Sequence, residues 1–211
     1  WERIQPIART GSGPVTIGQL TSALDGPVDE SYLDGVAAEV DKIHTAGMKA
    51  VVGLHSGCRF PYRQKPGSND AALFCGEGIS ADRISRVWTA ISTVFKNRRG
   101  VFAYDILNDP IITSFPGGLV TYRTVTQSLV DAIRATGDAH TVWVQFPEDR
   151  ANRGSTMTSG PWIHDPLLTI TYSQHFYPGR TAVDNERYDP AVDAPIIAAV
   201  SGFAAWCARW T

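Results

Sequence analysis

The 211-residue chain has no apolar run long enough to cross a bilayer and no block of basic residues. The first absence argues against a membrane partner. The second, with a net charge of −2, argues against nucleic acid. Cysteine is scarce: Cys58, Cys75 and Cys207 are the three present, and none has metal-site spacing. His44, His140 and His164 also lack companions at ligand spacing, so no metal site is predicted. No G-x-G-x-x-G occurs, and "GSG" at 11–13 follows no complete strand, so nothing cradles a phosphate and no cofactor is implied. Repeats and low-complexity tracts are missing too. The odd cysteine count leaves two readings of the loop between Cys58 and Cys75: a disulfide closing it in a secreted protein, or two thiols.

What remains is an ordinary globular composition, 43% hydrophobic and 19% charged. From Asp29 onward, helical and strand patterns alternate. Leu33, Val36, Val40 and Ile43 mark one helix face, with Asp29 able to cap its start and Gly47 able to end it. "KAVVGLHSG" reads as a strand ending at His55. Ile84, Val87, Trp88, Ile91 and Phe95 mark a second helix, and "VFAYDILNDP" the strand after it. Tyr122, Val125, Leu129 and Ile133 form a third helix face, followed by the strand "TVWVQFPED". A Gly/Ser/Thr-rich loop leads to "LLTITYSQHFYPG", and Ile196, Val200, Phe203 and Cys207 mark a last helix.

Strict alternation of helices with apolar strands predicts a parallel sheet, buried on both faces. An open doubly wound sheet and a (β/α)8 barrel compete. The polar strand ends favour the barrel: His55, Asn108 with Asp109, and His175 with Tyr177 would all meet at its mouth. "WERIQP" reads as the tail of a strand, and the last helix has no strand after it. A full barrel needs about 250 residues, so 1–211 is predicted to be a single, partial (β/α)8 domain carrying about five of the eight strands.

The ordered set "WERIQP", "LHSG", "DILNDP", "AIRATG", "QHFY" and "FAAWCARW" resembles glycoside hydrolase family 5, the cellulase-like endoglucanases. The resemblance runs over nearly the whole chain. It implies retaining hydrolysis of β-glycosidic bonds in a polysaccharide, by an extracellular protein expected to be a monomer. One carboxylic acid protonates the leaving oxygen while a second carboxylate, about 5–5.5 Å away, attacks the anomeric carbon. By position, Asp109 would be the acid/base and Asn108 would bind the sugar 2-hydroxyl. His55 and His175 would line the cleavage subsite, and Tyr177 would steady the nucleophile. Two departures stand out. The family has Glu where this chain has Asp109, an arm shorter by one methylene. The family's nucleophile, a Glu ending the seventh barrel strand, would fall just after Thr211. These departures suggest a rival reading, a pseudoenzyme that binds carbohydrate without cleaving it.

Other residues carry weaker expectations. Asn108-Asp109-Pro110 is also plain turn chemistry. Trp1 and Trp143 could stack on sugar rings, whereas Trp88 and Trp206 read as packing. The long loop from Ser56 to Ser80 offers Arg59, Tyr62 and Arg63 as substrate contacts. Glu148, after the strand "VWVQFP", reads as a loop carboxylate rather than a replacement acid or nucleophile.

Overall fold

Helix α2 (Glu30–Thr45) begins where the sequence places its cap, with the Asp29 carboxylate accepting from the Tyr32 N–H at 2.9 Å. It ends at Gly47, whose φ of +78° only glycine adopts without strain. The computed structural model describes residues 1–9, 11–61, 69–110, 115–146, 160–176 and 193–210. In chain order the elements are α1 (Ile17–Asp25), α2, β1 (Ala50–His55), β2 (Arg59–Phe60), β3 (Leu73–Cys75), β4 (Gly78–Ile79), α3 (Ala81–Phe95), β5 (Val101–Asn108), α4 (Leu119–Ala135), β6 (Thr141–Gln145), β7 (Ile170–Ser173) and α5 (Asp193–Trp210).

The main sheet is parallel, in the order β1-β5-β6-β7. Spatial order follows chain order, with α3 and α4 as crossovers, so the strands form an arc of a (β/α)8 barrel. The arc has four strands among the described residues, not the five expected. "WERIQP" accounts for the difference: Ile4 and Gln5 both donate to the Trp1 carbonyl, which makes that segment a turn.

Among the described residues the two faces of the sheet differ in burial. The helix-facing side, with Leu54, Tyr104, Ile106, Val142 and Val144, is sealed under α3 and α4. On the concave side Val51 is 40% and Phe102 51% exposed. Periodicity placed the convex core correctly. Ile84, Val87, Trp88, Ile91 and Phe95 bury one face of α3, and the Trp88 indole donates to the Ile106 carbonyl at 3.1 Å. At Gly100 a side chain would meet the Val40 carbonyl at 2.8 Å, so glycine lets α2 lie against the start of β5.

Two features lay outside the periodic reading. Helix α1 is nine residues long, held by a reciprocal capping box between Thr16 and Gln19. A small second sheet, β2-β3-β4, follows β1, and a disulfide joins Cys58 to Cys75 across its first pair of strands, with Cα atoms 5.4 Å apart. This decides between the two readings of those cysteines.

Near the amino end of β6, Asp138 is 1% exposed. It accepts from Ser92 Oγ (2.9 Å), Tyr104 Oη (2.6 Å), and both the backbone N–H (2.9 Å) and Nδ1 (2.7 Å) of His140. Burial pushes its pKa up, but these donors outweigh burial and hold it at about 2. Beside it, Arg134 grips Asp165 through two bonds of 2.9 and 3.0 Å and also donates to the carbonyls of Asp138 and His140.

Candidate active site

The opposite, carboxyl end of the sheet gathers His55, Asn108, Asp109 and His175. The register of β1 against β5 explains how. Gly53 pairs with Asp105, but His55 pairs with Asn108, so β5 gains one residue over β1. Residues three apart on a regular strand face opposite sides. This bulge brings Asn108 round to the side of Asp105, and the Asn108 amide donates to Asp105 Oδ2 at 3.4 Å. The Asn108 carbonyl in turn accepts from Gly57 at 3.0 Å, which ties the residue to the segment following His55.

Asp109 comes next, with φ of +52°. Aspartate is one of the few side chains that tolerate this left-handed region, and a residue before proline is normally extended. The conformation is held from β6: the Asp109 N–H donates to Gln145 Oε1 at 3.0 Å. Gln145 is 1% exposed, and its carbonyl accepts from the Tyr122 hydroxyl of α4. An over-determined, strained backbone of this kind is typical of functional positions.

Two residues beyond β7, His175 meets Asp109 directly. Its Nδ1 lies 2.6 Å from Asp109 Oδ1, with the two side chains 36% and 25% exposed. The neighbouring main chain is fixed by a bond of 2.8 Å from the Phe146 N–H to the Ser173 carbonyl. His55 is exposed at the end of β1. Of the expected group, His55, Asn108, Asp109 and His175 thus lie at adjacent strand ends. Tyr177 and Glu148 lie outside the described residues, as do Tyr62 and Arg63.

Sequence reasoning missed two members of the floor. Asp105 sits behind Asn108, and burial raises its pKa. The Asn108 bond and the charges of His175 and His55 oppose that rise, while the charge of Asp109 adds to it. Among the described residues, Asp105 Oδ1 and Gln145 Nε2 are buried without a hydrogen-bond partner. Alternation in "YDILN" would have hidden Asp105 in any case, because the bulge breaks the count. Gln145, a polar residue at the end of an apolar strand, was the one available signal.

The proposed sugar platforms are placed differently. Trp1 is buried, packed against Phe60 at 5.3 Å between ring centroids, and its indole donates to Gln5 at 2.7 Å. A ring enclosed in this way has no face for a sugar, so it leaves the candidate site. Trp143 pairs in register with Asp105 and contacts Phe102 at 6.3 Å, deeper in the concave face than Gln145 at the strand end. It lines the interior of the arc rather than the rim. Arg59 lies over the Phe74 ring at 5.6 Å, on the small disulfide-linked sheet two residues beyond the Gly57–Asn108 bond. No group of three or more His, Cys, Asp or Glu residues suited to a metal ion occurs among the described residues.

A parallel β/α arc with a carboxylate, an amide and two imidazoles at adjacent strand ends is the architecture of a barrel-mouth site. The chain belongs to the cellulase family, glycosyl hydrolase family 5, which matches residues 13–203. Among similar solved structures is XacCel5A in complex with cellopentaose (TM-score 0.69, 18% identity, covering 99% of this chain and 59% of that one). Others are the Pseudomonas stutzeri endoglucanase Cel5A with cellobiose (0.65, 19%, 89% and 54%) and endo-glycoceramidase II from Rhodococcus sp. with a cellobiose-like isofagomine (0.62, 19%, 87% and 52%). The chain therefore spans little more than half the length of these structures. No curated protein matches it. No helix among the described residues is long and apolar enough to cross a membrane.

Proposed function

We propose that the protein hydrolyses O-glycosidic bonds in a β-linked polysaccharide, by a retaining route, with acid/base chemistry centred on Asp109. One observation carries this reading: Asp109 stands on a strained backbone at a strand end, in contact with His175 and beside Asn108. Membership of the cellulase family gives that cluster its chemical meaning. The cello-oligosaccharides bound by two of the similar structures point to a β-glucan. In this reading Asn108 holds the sugar 2-hydroxyl, and His55 and His175 line the subsite. The Cys58–Cys75 bridge supports an extracellular location.

Release of reducing ends from carboxymethyl cellulose, mannan, xyloglucan and β-1,3-glucan tests the activity and ranks the substrates. NMR of the first-formed anomer tests retention; an inverted product rules that route out. The shortened acid at 109 favours a second reading, a carbohydrate-binding pseudoenzyme. Oligosaccharide binding by calorimetry with no turnover by the full-length protein would establish it in place of the first.

A further inference from the structure

A side chain as short as aspartate depends on its main chain to carry the carboxyl group to its place. We propose that Gln145 is the positioning residue for Asp109: its carboxamide holds the Asp109 N–H and so fixes the backbone from which the acid is presented. The assignment rests on the hydrolase reading above. Three observations carry it. Asp109 has a φ of +52° and precedes Pro110. A non-glycine residue is disfavoured in the left-handed region, and one before proline is driven toward extended backbone. The bond of 3.0 Å from the Asp109 N–H to Gln145 Oε1 opposes that return. Next, Gln145 reaches from a fixed base. Its carbonyl accepts from the buried Tyr122 hydroxyl, it pairs in register with Ser173 of β7, and the following N–H, of Phe146, donates to the Ser173 carbonyl at 2.8 Å. Last, Gln145 is 1% exposed, yet its Nε2 is buried with no hydrogen-bond partner among the described residues. A buried donor left unpaired is costly, and a methionine would fill the same space without that cost. The side chain's contribution therefore lies in its oxygen.

Two contacts then converge on Asp109. Gln145 holds its main chain from the end of β6, and His175 meets its Oδ1 at 2.6 Å from beyond β7. Of the two, the first acts on the backbone and sets how far the carboxyl group extends. Without Oε1 the residue relaxes toward the extended form that proline favours, and the carboxyl group withdraws. A misplacement of about 1 Å at a reacting group can cost about 10²-fold. The loss falls on proton transfer to the leaving oxygen, because Gln145 is buried and makes no contact with a sugar.

The experiment compares the full-length protein with its Gln145→Met and Gln145→Glu variants on aryl β-cellobiosides of graded leaving-group pKa. Gln145→Met removes the oxygen and keeps the bulk. It is expected to lose about 10–10²-fold in kcat/KM on phenyl cellobioside, and less than about 3-fold on the 2,4-dinitrophenyl compound, which departs without a proton. Its Tm is expected to stay level or rise, because the unpaired Nε2 leaves with the oxygen. Gln145→Glu keeps an oxygen at the same reach and is expected to recover the phenyl rate to within about 5-fold of the unaltered protein. The ratio between substrates is unaffected by any unfolded fraction, because loss of folded protein lowers both rates equally. A uniform loss across leaving groups in Gln145→Met, or none on phenyl cellobioside, overturns the assignment. So does a ratio no better in Gln145→Glu than in Gln145→Met. No release of dinitrophenol by the unaltered protein overturns the hydrolase reading, and the assignment with it. Amide hydrogen exchange followed by NMR adds a readout independent of turnover. The Asp109 N–H is expected to exchange about 10-fold faster in Gln145→Met, and equal exchange in the two proteins overturns the assignment.

Discussion

Two aspartate–histidine contacts stand at opposite ends of one sheet. Asp138 and His140 meet at 2.7 Å near its amino end, Asp109 and His175 at 2.6 Å near its carboxyl end. The first carboxylate is fully enclosed and also accepts from Ser92, Tyr104 and the His140 backbone, and its backbone partners are tied down by Arg134. The second is partly open, rests on a left-handed backbone and lies above two buried polar atoms without partners among the described residues. Nearly identical pair geometry therefore serves two ends. Saturation of the remaining lone pairs makes a clamp, whereas exposure and strain suit the proton-exchanging role proposed for the second pair.

Breaking each pair should separate those roles. The largest effect is expected from Asp109→Asn, which should cut polysaccharide hydrolysis by about 10²–10⁴-fold while shifting the urea midpoint little. If activity survives, the exposed pair is not the reactive one. Asp138→Asn should do the reverse and cost about 3 kcal/mol of stability, since it removes the charge on which four donors converge. Arg134→Met should cost a similar amount, about 3 kcal/mol, by leaving Asp165 buried and unpaired.

Acid should reveal the clamp next. The folded pKa of Asp138, about 2, lies below its unfolded value near 3.9. Its stabilisation is thus complete above that value and drains away as pH falls toward 2, by roughly 2 kcal/mol. Asp165, held at about 2 chiefly by Arg134, acts in the same direction. Stability curves between pH 5 and 2 for the parent and Asp138→Asn should converge at the acid end. The smallest effect is expected at Asp105, where the sign reverses. Burial raises its pKa, so its charge opposes folding as pH climbs above the unfolded value. Asp105→Asn should gain less than about 1 kcal/mol near pH 7, detectable as a higher Tm, and a loss there would show that the charge is needed.

The convex core was legible because helix and strand periods are written directly in apolar spacing, as in Ile84 to Phe95 and Tyr122 to Ile133. The grouping of His55, Asn108, Asp109 and His175 at strand ends was legible because polar groups ending apolar strands are conspicuous. Asp105 was not, because the β5 bulge shifts residues between faces and no alternation rule anticipates an inserted residue. Trp1 was misplaced as a sugar platform because aromatic composition cannot distinguish a stacked ring from a packed one. Its Gln5 partner, four residues along, becomes visible only once the segment is a turn. The small sheet escaped notice because two- and three-residue strands carry no period.

The Gln145 side chain links the outer helix layer to the polar residues at the rim. Its carboxamide holds the main chain of Asp109, while its own carbonyl is held by Tyr122 on the outer helix layer. The reach of the reactive pair is thereby set from behind the sheet. Tuning of the proposed site by substitution can begin on α4, a whole layer away from the strand ends, where a shift of the tyrosine ring is transmitted through one amide to the Asp109 backbone.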